Sequence, residues 1–196
     1  MVDREIIYMT VPSFPVAVER VVHPELRGRP VVVAPPGAAR SVVTAVSPEA
    51  WDAGIRKGMV LARAMRYCRS AIVLPPNEPL YLRASRAIFQ VLENFSPVLE
   101  PSGHGHAYLD ITGTGRLFGP PRDTAWKAQL EIRRRLRLDA EDQGLRANWP
   151  ALPLQGHERI QLPKTTDLAG RGFPLDTNTM LHAAPFPVTT RFPGVS

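Results

Sequence analysis

Apolar and polar positions change period repeatedly along this chain, and each change marks an element. Residues 5–11 form a short apolar run that predicts a buried strand, interrupted by Pro12 and Pro15. Phe14, Val18, Val21 and Val22 then recur at helical spacing, and Pro24 ends that helix. Residues 25–30 predict a turn into a strand at 31–34, and residues 41–46 predict another strand after the Pro35-Pro36-Gly37 loop. Ser47 followed by Pro48 is a helix-opening pair, with Gly54 at the far end. A short helix is expected over 59–67 and a strand over 72–74, closed by Pro75 and Pro76.

Residues 77–95 predict a long amphipathic helix, with Leu80, Ala84, Ala87, Ile88, Val91, Leu92 and Phe95 on one face. Strands at 98–99 and 107–111 flank the turn Ser102-Gly103-His104-Gly105-His106, and residues 112–121 read as a Gly-rich loop. A last helix over 122–138 sets Ala125, Ala128, Leu130, Ile132 and Leu136 against Arg133, Arg134, Arg135 and Arg137; Trp126 is read as core. Beyond about Gly144, prolines interrupt nearly every candidate run and no clean period remains. Strands alternating with helices, several of them hairpin-like, predict an α+β fold with a mixed sheet.

Composition narrows the class. The chain has 196 residues, 44% of them hydrophobic and 21% charged, which suits a globular core and excludes composition-driven disorder. No run of about 18 apolar residues predicts a membrane span, and the acids Asp3 and Glu5 are unlike a signal peptide. With Cys68 as the single cysteine, neither a disulfide framework nor a cysteine-rich zinc site is expected. The expected location is cytoplasmic. Lys+Arg 24 against Asp+Glu 18 gives a net charge of +6, which suits a polyanionic partner as well as plain solubility.

Four segments then make the reading specific: residues 23–33 (HPELRGRPVVV), residues 54–59 (GIRKGM), residues 96–101 (SPVLEP) and residues 107–113 (AYLDITG). In this order and at this spacing they resemble the Y-family, UmuC-type translesion DNA polymerases over about residues 5–140. The resemblance implies a palm-like mixed sheet with packed helices (residues 1–22 and 75–145) and a small fingers-like subdomain (residues 23–74). Residues 146–196 would hold a degenerate palm end and the thumb entry, matched at 187–195, with the chain stopping before the thumb and little finger.

Polymerase chemistry needs two Mg²⁺ ions bridged by carboxylates. The family supplies them from an Asp on the first strand and an Asp-Glu pair before the later one. Those positions here hold Thr10, Gly105 and His106, and a further acidic position holds Pro12. Asp110 matches a family position outside the metal set. The expected triphosphate clamp, a Tyr and an Arg, falls on Pro48 and Trp51; Phe14 or Pro15 sits near the sugar-gate aromatic, and a family Lys meets Asn148-Trp149-Pro150. The resemblance therefore implies vestigial nucleotide-binding positions, no metal site and no catalytic residues.

Residues 112–119 (TGTGRLFG) are similar to the ImuB-like branch, polymerase homologues that lack the catalytic acids and act as adaptors in mutagenic repair. The expectation is a catalytically inactive homologue linked to translesion synthesis and the SOS response. It would bind DNA weakly and non-specifically through Arg56, Lys57 and Arg63, and would meet other repair or replication proteins. The alternative is an active polymerase whose acids lie elsewhere. His104 and His106 are read as a solvated turn, Cys68 as a small buried hydrophobe, and the 133–137 arginines as a solvated face.

Overall fold

The computed structural model describes residues 4–37 and 40–145. Within these the fold is α+β, and the chain divides into two compact units, residues 4–10 with 87–145, and residues 11–86. The dividing lines fall at 10/11 and 86/87. Expectations for residues 146–196 lie outside the described residues.

The first unit is built on a four-stranded sheet of order β5-β6-β1-β7, from β1 (Ile6–Thr10), β5 (Val98–Gly103), β6 (His106–Asp110) and β7 (Glu141–Leu145). All three pairings are antiparallel. Strict alternation of burial in β1 and β6 puts Ile7, Met9, Ala107 and Leu109 on the covered face and Tyr8, Thr10, His106 and Tyr108 on the half-open one. Helix α6 (Pro121–Leu136) packs against β1 and β7, and it buries Thr124, Ala125, Ala128, Ile132 and Leu136.

The second unit carries a three-stranded sheet of order β3-β2-β4, from β2 (Val31–Val33), β3 (Ala45–Val46) and β4 (Ile72–Leu74). β2 runs antiparallel to β3 and parallel to β4. Both faces are covered. Val32, Val46 and Val73 join Ala50, Ile55 and Ala64 in one core, whereas Val31, Val33, Ala45, Ile72 and Leu74 join Val16 and Leu26 in another. That explains why β2 and β4 are continuous apolar runs rather than alternating ones. Helices α1 (Phe14–Val22), α2 (Pro48–Asp52) and α3 (Leu61–Tyr67) surround the sheet, and α4 (Glu78–Leu92) leads out of this unit into the first.

Ser47 caps α2 as its sequence predicts: its hydroxyl accepts from the Ala50 N–H at 3.2 Å, and also from the Val31 N–H at 3.0 Å. Arg20 on α1 reaches Glu49 on α2 at 2.6 Å.

Several expectations need correction. The strand expected over 41–46 is confined to Ala45–Val46, because the chain before it bonds to residues 58–61 instead: Gly58 N–H donates to Val43 O and Leu61 N–H to Ser41 O. The same contacts delay the start of α3 from Met59 to Leu61. The strand expected at 98–99 runs on to Gly103 by pairing with β6. The loop expected at 112–121 contains a one-turn helix, α5 (Gly115–Phe118). β7 forms just after the last expected helix, over residues to which the sequence assigned no element. Trp126 is 61% exposed and Leu130 48% exposed, so neither belongs to the core. Cys68 is half-buried against the Val32 cluster, with its sulfur 3.3 Å from the Ser70 hydroxyl.

Candidate functional site

Two sets of sequence-derived candidates fall in separate units, and each has its own geometry. In the first unit, the β1–β6 register pairs Tyr8 with Tyr108 and Met9 with Ala107, which leaves Thr10 and His106 next in line at the same end of the two strands. Gly105 lies beside them in the tight turn between β5 and β6, at φ +71°, a left-handed conformation that glycine adopts without strain. The structure therefore brings Thr10, Gly105 and His106 to one end of the sheet. On the half-open face Tyr8 stacks on Tyr108 with ring centroids 4.4 Å apart, and the His106 ring lies 6.5 Å from Tyr8.

This donor set does not fit a two-magnesium centre. Mg²⁺ takes hard oxygen ligands, carboxylates foremost, in near-octahedral geometry. Thr10 offers a neutral hydroxyl, Gly105 no side chain and His106 an imidazole. Asp110 stands four residues along β6 from His106, about 13 Å at strand rise. It is engaged there, accepting from the Thr112 N–H at 3.0 Å and lying 3.7 Å from Arg4. Among the described residues no three His, Cys, Asp or Glu side chains converge as a metal site. β7 sets Glu141 at the register position opposite Thr10, an acidic neighbour that the sequence pattern did not reveal.

In the second unit Phe14 opens α1 and packs edge-on to Tyr81, with centroids 6.3 Å apart. Pro48 is the first residue of α2 and is exposed. Trp51, on the same helix, is 52% exposed, and the Arg56 guanidinium lies 3.9 Å from its ring centroid. Arg56 is pinned in this pose because Nη1 donates to the carbonyls of Trp51 and Ile55. Lys57 and Arg63 are exposed. The structure thus joins Trp51 to Arg56, a contact that assigning them separate nucleotide and DNA roles did not foresee.

The same unit holds a buried acid that the sequence reading missed. Glu19 is 5% exposed and accepts a hydrogen bond from the Tyr81 hydroxyl at 3.2 Å. Burial pushes its carboxyl up, against the pull of that bond and of His23. A Glu inside the apolar repeat of α1 was the available signal. The α6 arginines are instead drawn onto neighbouring acids. Arg134 and Arg135 both pair with Glu131, whose carboxyl their hydrogen bonds hold down to about 2, and Arg133 lies 3.3 Å from Asp139.

No helix among the described residues is long and apolar enough to cross a membrane. The chain is similar to the DNA polymerase IV of Dehalococcoides mccartyi, with 37% identity over 140 residues, covering 71% of this chain and 36% of that protein. It is 39% identical over 148 residues to the DNA polymerase IV of Halorhodospira halophila, covering 76% of this chain and 40% of that one. It thus spans little more than a third of the length of such relatives. Its structure superposes on DinB from Sulfolobus solfataricus with a TM-score of 0.69 at 27% identity, covering 74% of this chain and 42% of that one. An insertion ternary complex of the Dbh DNA polymerase gives a TM-score of 0.69 with the same identity. The impB/mucB/samB family profile matches residues 9–141, and the chain belongs to that family, in the Y-family of DNA polymerases, as part of its palm and fingers region.

Proposed function

We propose that this chain contacts DNA in translesion repair without carrying out nucleotidyl transfer, as an adaptor of the ImuB-like kind. The observation that supports this reading is the β1–β6 register. It gathers Thr10, Gly105 and His106, the positions at which the resemblance expects three carboxylates, at one end of the sheet, which supports a lost metal centre. Family membership and the similarity to DNA polymerase complexes support DNA as the partner. A positive net charge supports weak, non-specific phosphate contact, with Arg56, Lys57 and Arg63 as donors. The reading includes a cytoplasmic location, other repair or replication proteins as partners, an SOS-response role and no resident Mg²⁺.

The second reading is an active translesion polymerase with relocated acids. Glu141, at the register position opposite Thr10, is the observation in its favour. Single-nucleotide incorporation on a primer-template, with Mg²⁺ or Mn²⁺, separates the two. The adaptor reading expects no incorporation. Template-directed incorporation that disappears in Glu141→Gln establishes the second reading.

A further inference from the structure

Residues 51–70 carry five basic side chains, Arg56, Lys57, Arg63, Arg66 and Arg69, against one acid, Asp52, and all six are exposed. Two large aromatics stand out of the same segment, Trp51 at 52% and Tyr67 at 51% exposure. About half of each ring thus faces water beside a dense positive charge.

Their surroundings hold them in place. The Trp51 carbonyl accepts from the Gly54 N–H at 2.9 Å and from Arg56 Nη1, which ties the indole, the turn and the guanidinium together. Gly54 has φ +93°, and a Cβ there would meet the Tyr67 ring at 3.0 Å, so Tyr67 lies directly against that turn. Arg56 is stacked on the indole rather than extended into solvent.

We propose that Trp51 with its stacked Arg56, together with Tyr67, is a stacking platform for unpaired bases of single-stranded nucleic acid, whose phosphates meet the surrounding arginines and Lys57. Every base offers a π-face to an aromatic or guanidinium plane, and the backbone supplies the complementary negative charge. A purely electrostatic site needs no exposed rings, and an apolar protein partner does not need five cations. The inference rests on the reading that this chain contacts nucleic acid. It goes beyond that reading in assigning the unpaired base, rather than phosphate alone, as the recognised group.

The test uses the full chain with a fluorescein-labelled oligothymidylate of about ten nucleotides, within the usual span of such sites, an abasic oligomer of equal length, and a duplex. The expected result is tighter binding of the oligothymidylate than of the abasic strand. Trp51→Ala should then weaken oligothymidylate binding about tenfold, the loss of one stacked base, and leave abasic and duplex binding unchanged. Trp51→Phe should restore most of the loss. Circular dichroism of both variants should match the parent, since Trp51 is exposed. Equal affinity for oligothymidylate and abasic strand, or an unchanged affinity in Trp51→Ala, overturns the platform while leaving phosphate-driven DNA contact intact. Failure to bind any of the three at low salt overturns the underlying reading as well.

Discussion

Tyr8 and Tyr108 stack across the β1–β6 pair, with ring centroids 4.4 Å apart and planes 26° from parallel. The pair sits in the register that the burial of Ile7 and Met9 fixes, because a one-residue slip would turn every side chain of β1 to the other face. It should couple energetically. In a double-mutant cycle of Tyr8→Ala and Tyr108→Ala, urea unfolding should show an interaction of about 0.5–1.5 kcal/mol. Purely additive losses would mean that the two rings do not stabilise one another.

Ser47 should be costly to replace. Its buried hydroxyl accepts from both Ala50 and Val31 N–H groups, so Ser47→Ala leaves two buried donors without that partner. A lost N-cap costs about 1 kcal/mol and an orphaned buried donor about 1–3 kcal/mol. Ser47→Ala should therefore destabilise by about 2–3 kcal/mol in denaturant titration. A loss under about 0.5 kcal/mol would show that the hydroxyl's bonds are replaceable.

Glu19 gives stability a definite pH dependence. Burial raises its carboxyl above the ordinary value of 4.5 in the folded state, so the folded chain binds more protons than the unfolded one in that window. The contribution is therefore complete below 4.5 and is lost as pH rises through the folded value. Glu19→Gln removes the penalty while keeping an oxygen for Tyr81. Melting temperatures across roughly pH 4 to 8 should show the variant gaining on the parent as pH rises, then running parallel. A gap that instead widens toward acid pH would contradict the burial argument.

The elements legible in the sequence are those whose cause is local. Ser47-Pro48 announces α2 because cap and first turn are adjacent in the chain, and the valines of β2 announce a strand covered on both faces. β7 was not legible: Glu141-Asp142-Gln143-Gly144 has no β-forming pattern, and it pairs because β1 supplies a partner from the other end of the chain. Trp126 and Leu130 were misplaced by counting apolar residues rather than following the stripe. Ala125, Ala128, Ile132 and Leu136 define the buried line, and Trp126 and Leu130 fall more than a quarter turn from it. At the candidate site the neighbourhood of Gly105 and His106 was legible, because they are adjacent in the chain. The Arg56–Trp51 contact was not, because it depends on the turn geometry at Gly54.

The basic residues make a salt-dependent prediction that does not involve stacking. If Lys57 and Arg63 each neutralise one phosphate, Lys57→Ala and Arg63→Ala should each lower the slope of log affinity against log salt by about 0.7–0.9 on DNA. Non-specific dissociation constants of about 10⁻⁴–10⁻⁶ M are expected for the parent at physiological salt. Unchanged slopes in both variants would remove these two side chains from the interface.

Mn²⁺ binding followed by electron paramagnetic resonance, with a deoxynucleoside triphosphate present, tests the proposed loss of the metal site most directly. It compares the full chain with the triple variant Thr10→Asp, Gly105→Asp, His106→Glu; aspartate is among the residues that tolerate the left-handed conformation of position 105. The parent should cause no protein-dependent change in the Mn²⁺ signal, and the triple variant, with three carboxylates introduced, should bind Mn²⁺. Stoichiometric Mn²⁺ binding by the parent, lost in Glu141→Gln, would contradict this and show that the acids had moved to β7.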